Sequence, residues 1–155
     1  MPRLSAGLLM YRTSGGGLEV LLIHPGGPFF QNQDEGAWSI PKGEPRPDEE
    51  LLAAARREFE EEIGVRPAGP FTALAPVKQQ GGKVVHAWAF EGDCDPAAIE
   101  SNTFSIEWPP RSGRTMEFPE IDRAEFFAAA AAKRKINPAQ VPLIEELQRI
   151  VNAST

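Results

Sequence analysis

The chain has little that would suit a secreted, membrane-bound or nucleic-acid-coating protein. Its 155 residues include one cysteine, Cys94, so no internal disulfide can form and we expect a reducing, cytoplasmic location. No stretch approaches the length of a membrane span, and the first residues, MPRLSAGLLMYR, lack a sustained apolar signal region. The net charge of -6 argues against a broad basic footprint. We therefore expect no membrane partner and no extended nucleic-acid binding.

Histidine is also scarce, and this argues against a zinc site. The only two, His24 and His86, are too far apart in sequence and too isolated to suggest a zinc site. Apolar residues make up 41% of the chain, enough for an adequate core in one domain over residues 1–155. The sequence leaves a monomer and a homodimer equally open.

An acid-dense segment, residues 43–65, also has the pattern of an amphipathic helix. Pro47 and Asp48, followed by Glu49 and Glu50, predict a helix start with a capping side chain and acids in the first turn. Gly64 predicts the C-terminal stop. One apolar stripe faces a core, because bulky or small apolar residues recur every fourth position at Leu51, Ala55, Phe59 and Ile63.

Three acids of this helix, Glu58, Glu61 and Glu62, lie beside the apolar stripe at the unfavourable end. Like charges at this spacing repel by about 0.2–0.5 kcal/mol. Acids in a last turn also face the negative end of the helix dipole, at about 0.3–1 kcal/mol each. A solvated acidic face is one interpretation. The other is an edge that holds Mg²⁺, which binds a few carboxylates together with waters and substrate phosphates.

The same segment resembles the Nudix box, G-x5-E-x7-R-E-U-x-E-E-x-G-U, in which U is an aliphatic or bulky apolar residue. All nine fixed positions are filled, by Gly43, Glu49, Arg57-Glu58-Phe59, Glu61-Glu62 and Gly64-Val65. The box covers 23 of the 155 residues, and the length and element order of the rest also resemble a single Nudix domain.

The resemblance implies a fold, a reaction and a set of residues. The fold is α/β (α+β): an αβα sandwich with a mixed central sheet and the box as loop–helix–loop. The reaction is hydrolysis of a nucleoside diphosphate linked to another moiety, with Mg²⁺ as cofactor and Mn²⁺ as a substitute. The metal ligands would be Glu58, Glu61, Glu62 and the Gly43 carbonyl, with Glu49 and Arg57 as supporting residues that brace the loop–helix–loop.

A base must also activate the attacking water. Metal ions neutralise the pyrophosphate and lower the pKa of a bound water, so a nucleophile exists near neutral pH. The catalytic base is then a box glutamate such as Glu58 or Glu61, or an acid from elsewhere. Glu117 and Glu120 precede the C-terminal helices, where relatives place an additional acid. We favour Glu117, and the alternative for both is an exposed surface acid.

Residues outside the box must choose the substrate. Lys42 stands in a Trp-x-x-Pro-Lys-Gly sequence similar to that of diadenosine polyphosphate hydrolases and some NTP-hydrolysing relatives, although a solvated loop lysine is the alternative. Arg111 and Arg114 could clamp a phosphate or stay exposed in their loop. Two family markers are missing, because Gln79-Gln80 stand where ADP-ribose hydrolases have a proline, and the only tyrosine is Tyr11.

The favoured substrates are therefore dinucleoside polyphosphates or NTPs, with nucleoside diphosphate sugars as the alternative. Two other classes of function compete with an enzyme: a non-catalytic module that senses nucleotides, and a purely structural acidic helix. Neither explains why every acid of the box is kept. A small-molecule nucleotide substrate is the expected partner.

Hydrophobic alternation and turn residues predict the remaining elements. Strands are expected at residues 5–12 and 18–24 around a Gly15–17 turn, at 38–40, at 71–80 and 83–91 as a hairpin, and at 104–108. Residues 109–119 are expected to form a polar loop, and residues 123–134 and 141–152 to form helices.

Overall fold

A mixed β-sheet lies between two layers of helices in the computed structural model, which describes residues 3–153. The strands are β1 (Leu4–Ser14), β2 (Gly17–Pro25), β3 (Lys42–Gly43), β4 (Thr72–Ala73), β5 (Val77–Lys78), β6 (Val84–Glu91), β7 (Thr103–Glu107), β8 (Thr115–Pro119) and β9 (Ile121–Ala128). The helices are α1 (Leu51–Ile63), α2 (Ala129–Lys135) and α3 (Val141–Ala153), with short 3₁₀ turns at Pro96–Ala98 and Pro138–Gln140.

The main sheet has the strand order β4-β6-β1-β2-β9. Strand β1 runs parallel to β6 and antiparallel to β2, so the sheet is mixed. Short strands extend it, since β3 pairs with β1 and β5 pairs with β6. Strands β7 and β8 form a separate two-stranded ribbon. Within the described residues, none of the helices has the length and apolar character needed to cross a bilayer.

The alternation of side chains along β1 divides the core in two. Leu8 and Met10 face α1 and join Phe59 in one buried cluster, while Leu9 points to the opposite face and joins Leu143 of α3 in the other. Successive strand residues point to opposite faces of a sheet, so a fully buried strand needs helices on both sides. The predicted αβα sandwich with a mixed sheet is confirmed.

The end of α1 is as predicted, but its start is not. Gly64 adopts φ 82° and donates its N–H to the Glu60 carbonyl at 2.8 Å, which closes the helix. The helix begins only at Leu51, after Glu50, and no side chain caps it. Asp48 is not the cap, since it adopts φ 64° outside the helix. Glu49 also precedes the first turn of the helix, and its carboxylate binds Arg57, as described below.

The predicted helix over residues 123–134 is wrong in its first half. Residues up to Ala128 form β9, which pairs along the length of β2, and only α2 is helical. Phe126 packs against the α1-side core and Phe127 against the α3-side core. Pairing with β2 packs the two half-buried rings on opposite faces of the sheet, and this outweighs the helix propensity of the alanines that follow.

Three further elements differ in detail from the expectations. The polar loop predicted at residues 109–119 contains β8, which pairs with β7. The first arm of the predicted hairpin splits into β4 and β5, with Pro76, which has no N–H for a ladder, between them. Residues 38–40 make only isolated bridges, Ser39 with Ile23 and Trp38 with Ile136. The first hairpin and the C-terminal helix are confirmed.

We expect Phe59→Ala to lower the free energy of unfolding by about 3–5 kcal/mol, because it leaves a cavity beneath the acidic edge of α1. The Phe59 ring is fully buried and packs edge-on against Phe90, with 5.2 Å between ring centres. Urea unfolding measures the change. Phe29→Ala is the matched control; its ring is 58% exposed, and its loss should cost less than about 1 kcal/mol. Equal losses in the two variants would contradict the packing described for α1.

Candidate active site

The site begins where β3 crosses over α1. Strand β3 pairs Lys42 with Gly7 and Gly43 with Ala6 of β1, which brings the Gly43 backbone onto the helix. A methyl group at Gly43 would overlap the carboxylate of Glu58. Gly7 permits the crossing from below, because a Cβ there would lie 2.6 Å from the Pro41 carbonyl oxygen. Glycine is needed at both positions for close approach.

Arg57 connects the loop before the helix to two acids on the helix. Its Nε and Nη2 donate to the two oxygens of Glu49, each at 2.9 Å, as a bidentate pair. Its Nη1 donates to Glu58 at 2.8 Å and to Glu61 at 3.4 Å. The Arg46 backbone N–H also donates to Glu49 at 2.9 Å. One guanidinium thus fixes the relative positions of three box acids.

These bonds shift the pKa values of both members of the pair. Donation from Arg57, followed by donation from the Arg46 N–H, lowers the pKa of Glu49 from 4.5 to about 2. The Glu49 carboxylate in turn raises the pKa of Arg57, and Glu58 adds to this increase. The pair is therefore fully ionised near neutral pH.

Glu62 has the opposite environment. Its Oε2 is buried and has no hydrogen-bond partner among residues 3–153. Burial, and next the charge of Glu58, raise the pKa of Glu62 from 4.5 to about 9, while Lys42 acts against this increase. A buried carboxyl without a partner is costly in either state of protonation. A cation placed against it would remove that cost.

The acidic edge of α1 has two features that fit a divalent metal ion, although it is not a preformed cage. In the described part of the chain, no three His, Cys, Asp or Glu side chains converge into a preformed metal cage. Two observations nevertheless fit a hard cation: the orphaned oxygen of Glu62, and the Gly43 backbone held against the Glu58 carboxylate. Carboxylate and carbonyl oxygens are the ligands that Mg²⁺ and Mn²⁺ prefer. The residues present fit such an ion.

The structure distinguishes the two acids that precede the C-terminal helices. The negative charge of Glu120 contributes to the raised pKa of Glu62, so Glu120 lies near the acidic edge of α1. Glu117 lies on β8 opposite Ser105, is exposed, and its carboxylate forms no hydrogen bond or ion pair within residues 3–153. The sequence could not separate them, because β8 was expected to be a loop and its alternation was not foreseen.

A cavity of about 290 Å³ opens beside Glu62, and Lys42 lines the same space. Burial, and next the charge of Lys83, lower the pKa of Lys42, while Glu62 and Glu44 oppose this. The position predicted to face phosphate is therefore next to the acid of the box that lacks a partner. A lysine at this position places a compact positive charge in the cavity wall beside the acidic edge of α1.

The two arginines predicted to bind phosphate are not brought to this cavity. Arg111 and Arg114 lie near the tip of the β7–β8 ribbon, and neither lines the space beside Glu62. The Arg111 backbone N–H donates to Glu107 at 3.1 Å, and φ of Arg111 is 62°. Both side chains are exposed.

Sequence reasoning missed the polar side chains that shape the cavity. Gln140 is fully buried and bonds to Gln79 at 2.8 Å, across 61 positions of sequence. His24 is also buried; its Nε2 contacts the Gln33 carbonyl at 2.6 Å and its Nδ1 contacts Asp122 at 2.7 Å, which ties the loop after β2 to β9. The only available signal was a polar residue, Gln140, at the start of an otherwise apolar helical pattern.

The Glu49 pair generates a pH prediction. Because folding lowers the pKa of Glu49, its contribution to stability is fully present above the ordinary pKa of 4.5 and is lost as the pH falls toward about 2. Glu49→Gln should therefore melt below the wild type at pH 7, and the two should converge at acid pH. Melting curves from pH 7 to pH 2.5 measure this difference. Glu50→Gln, at an exposed neighbour, is the control, and a gap that stays constant with pH would contradict the ion pair.

Comparisons with known proteins agree with this geometry. The family model described as NUDIX domain matches residues 1–147. The C. elegans Ap4A hydrolase in a binary complex is 19% identical with a TM-score of 0.67, over 96% of this chain and 98% of that one. The NUDIX domain of Shewanella oneidensis NrtR complexed with ADP ribose is 18% identical with a TM-score of 0.67, over 97% and 89%.

A third similar structure is a mutT/nudix family protein from Listeria innocua, 16% identical with a TM-score of 0.66, over 99% of this chain and 97% of that one. At these identities the likeness shows a shared fold. The family model carries the assignment, because it matches 147 of the 155 residues and includes the complete box. The chain therefore belongs to the Nudix family and is a Nudix pyrophosphohydrolase.

Proposed function

We propose that the chain hydrolyses a pyrophosphate bond in a nucleoside diphosphate linked to another moiety, with Mg²⁺ as cofactor and Mn²⁺ as a substitute. The observation that carries the proposal is the buried Oε2 of Glu62 on the box helix, which has no hydrogen-bond partner among residues 3–153, next to a lysine that lines the same cavity. Dinucleoside polyphosphates and NTPs are the favoured substrates, and nucleoside diphosphate sugars are the alternative. The similar fold of an Ap4A hydrolase supports the first group.

In this proposal the acidic edge of α1 holds the cation through Glu58, Glu61, Glu62 and the Gly43 carbonyl. A bound divalent ion neutralises pyrophosphate oxygens and lowers the pKa of a bound water. Arg57 keeps Glu58 and Glu61 in position through its bidentate bond to Glu49.

The remaining roles concern the proton and the phosphate. Glu58 or Glu61 accepts the proton of the attacking water, and Glu120 is the favoured additional acid, because its negative charge contributes to the raised pKa of Glu62. The base role of Glu117 stays a prediction, as do the phosphate contacts of Arg111 and Arg114. Lys42 donates to a phosphate oxygen of the substrate from the wall of the cavity.

The cellular setting is part of the proposal. The single cysteine, Cys94, supports a reducing cytoplasmic location. We also propose one catalytic domain over residues 1–155, supported by the two core clusters that share the central sheet.

We expect Glu62→Gln to lower kcat at least about 100-fold, as the loss of one strong electrostatic contributor does. The assay is turnover of a panel of dinucleoside polyphosphates, NTPs and nucleoside diphosphate sugars with Mg²⁺. Without metal the variant should be more stable than the wild type. The raised pKa of Glu62 destabilises the fold increasingly as the pH rises from 4.5 to about 9, and the amide removes this cost.

Glu60→Gln is the matched control, because Glu60 is exposed on the same helix and occupies a variable position of the box. It should keep full turnover and the increase in melting temperature that Mg²⁺ produces, whereas Glu62→Gln should lose both. Wild-type kcat in Glu62→Gln would rule out Glu62 as a metal ligand. No turnover of any panel member by the wild type would contradict the proposed reaction.

A further inference from the structure

The cavity beside Glu62 has the size and lining of a subsite for one planar ring. Its volume of about 290 Å³ is at the lower limit of small-molecule pockets, about 300–1,000 Å³. From Lys42 and Glu62 it extends to Phe30, an aromatic ring that is 37% exposed. Such a ring can stack on a base of any identity, so selectivity between bases must come from the polar lining.

The orientation of one lining amide, Gln79, is fixed by a chain of hydrogen bonds. The Ile40 backbone N–H can only donate, and it donates to Oε1 of Gln140 at 3.1 Å. The other end of Gln140 is therefore its NH₂, which donates to Oε1 of Gln79 at 2.8 Å. Gln140 is fully buried, which shields these bonds from water. The NH₂ of Gln79 is left without a partner among residues 3–153, in the wall of the cavity.

Two further amides are oriented in the same way. Oδ1 of Asn137 accepts the Ala139 backbone N–H at 2.9 Å, so its NH₂ is the free end. Nε2 of Gln33 donates to the Phe29 carbonyl at 3.2 Å, so its oxygen is the free end. Both residues line the cavity, and Gln33 is exposed. The lining thus offers two donors, from Gln79 and Asn137, and one acceptor, from Gln33, the group types that pair with a ring carbonyl and a ring N–H.

Resting on the proposed nucleotide substrate, we infer that this cavity is a nucleobase subsite that selects bases with a ring carbonyl, such as hypoxanthine or guanine, over adenine. Gln79 is the specificity-determining donor. Gln140 is the positioning residue, because its hydrogen bond to Oε1 of Gln79 directs the Gln79 NH₂ toward the cavity. The 6-oxo group accepts from the Gln79 NH₂. In adenine the 6-amino group is itself a donor and cannot accept from the Gln79 NH₂. Both groups would stay without a hydrogen-bond partner in the site, which strongly disfavours binding.

ITP and ATP differ only at this edge of the base, so the ratio of their kcat/KM values tests the inference. The wild type should prefer ITP at least about tenfold, the effect of one unpaired polar group. Gln79→Glu presents only acceptors, so the ratio should move toward ATP by about tenfold or more. Gln80→Glu is the matched control, since Gln80 is exposed and does not line the cavity; its ratio should equal that of the wild type.

Gln140→Glu tests the positioning role without changing Gln79. The new carboxylate still accepts the Ile40 N–H, but its other oxygen accepts from Gln79 and so turns the Gln79 carbonyl toward the cavity. The ITP/ATP ratio should again shift toward ATP, whereas a merely structural role would lower both kcat/KM values alike. If this buried substitution prevents folding, Gln79→Glu at a partly exposed position decides the matter.

A wild type that prefers ATP, or a ratio unchanged in Gln79→Glu, would overturn the inference. If neither nucleotide is hydrolysed, calorimetric binding of ITP and ATP to the same variants still decides the base preference. The proposed function fails only if the wild type also leaves every other member of the substrate panel intact. In the binding experiment, the subsite is supported if the wild type binds ITP with a dissociation constant at least about tenfold below that for ATP. The Gln79→Glu variant should then bind ATP more tightly than ITP. Equal dissociation constants would contradict it.

Discussion

The bidentate bond between Arg57 and Glu49 joins the irregular segment before α1 to the face of the helix that carries the acids. The same guanidinium reaches Glu58 and Glu61, so one cation fixes several carboxylates that would otherwise repel one another. The close approach of Gly43 to Glu58 depends on this order, because a mobile carboxylate could not lie under a backbone segment that leaves no room for a Cβ. Arg57 therefore holds Glu49, Glu58 and Glu61 in fixed relative positions along the acidic edge.

Glu62 is the acid that this network does not satisfy. Arg57 reaches the other two helix acids, while the buried oxygen of Glu62 has no partner within residues 3–153 and its pKa rises to about 9. The fold thus carries an unfavourable group at the position where the proposed function would bring a divalent ion. If Glu62 is a metal ligand as proposed, stability is given up where the reaction needs charge, a pattern common among catalytic residues.

The sequence predicts the helix that carries this edge, and its end at Gly64, because that information is local. Spacing within one helix sets the faces of Glu58, Glu61 and Glu62, and Gly64 marks its end. The choice between Glu117 and Glu120 depends instead on the alternation of a strand, β8, that pairs only with β7. The strand β9 likewise exists because β2 covers its backbone, which no local pattern reveals.

The cavity amides are hardest to predict for the same reason. Gln140 and Gln79 meet across 61 positions, and their orientation follows from a single backbone N–H at Ile40. No helix or strand periodicity relates these residues, so the reaction can be predicted from the box, while selectivity requires the three-dimensional structure.

Anomalous diffraction from crystals grown with Mn²⁺ shows whether Glu62 is a metal ligand, because it locates the ion without reference to turnover. We expect an anomalous peak about 2.1 Å from a carboxylate oxygen of Glu62, a distance typical of small hard cations. Oxygens of Glu58 and the Gly43 carbonyl should complete the protein ligands. A peak bound elsewhere, with the Glu62 oxygen still buried and without a partner, would contradict it.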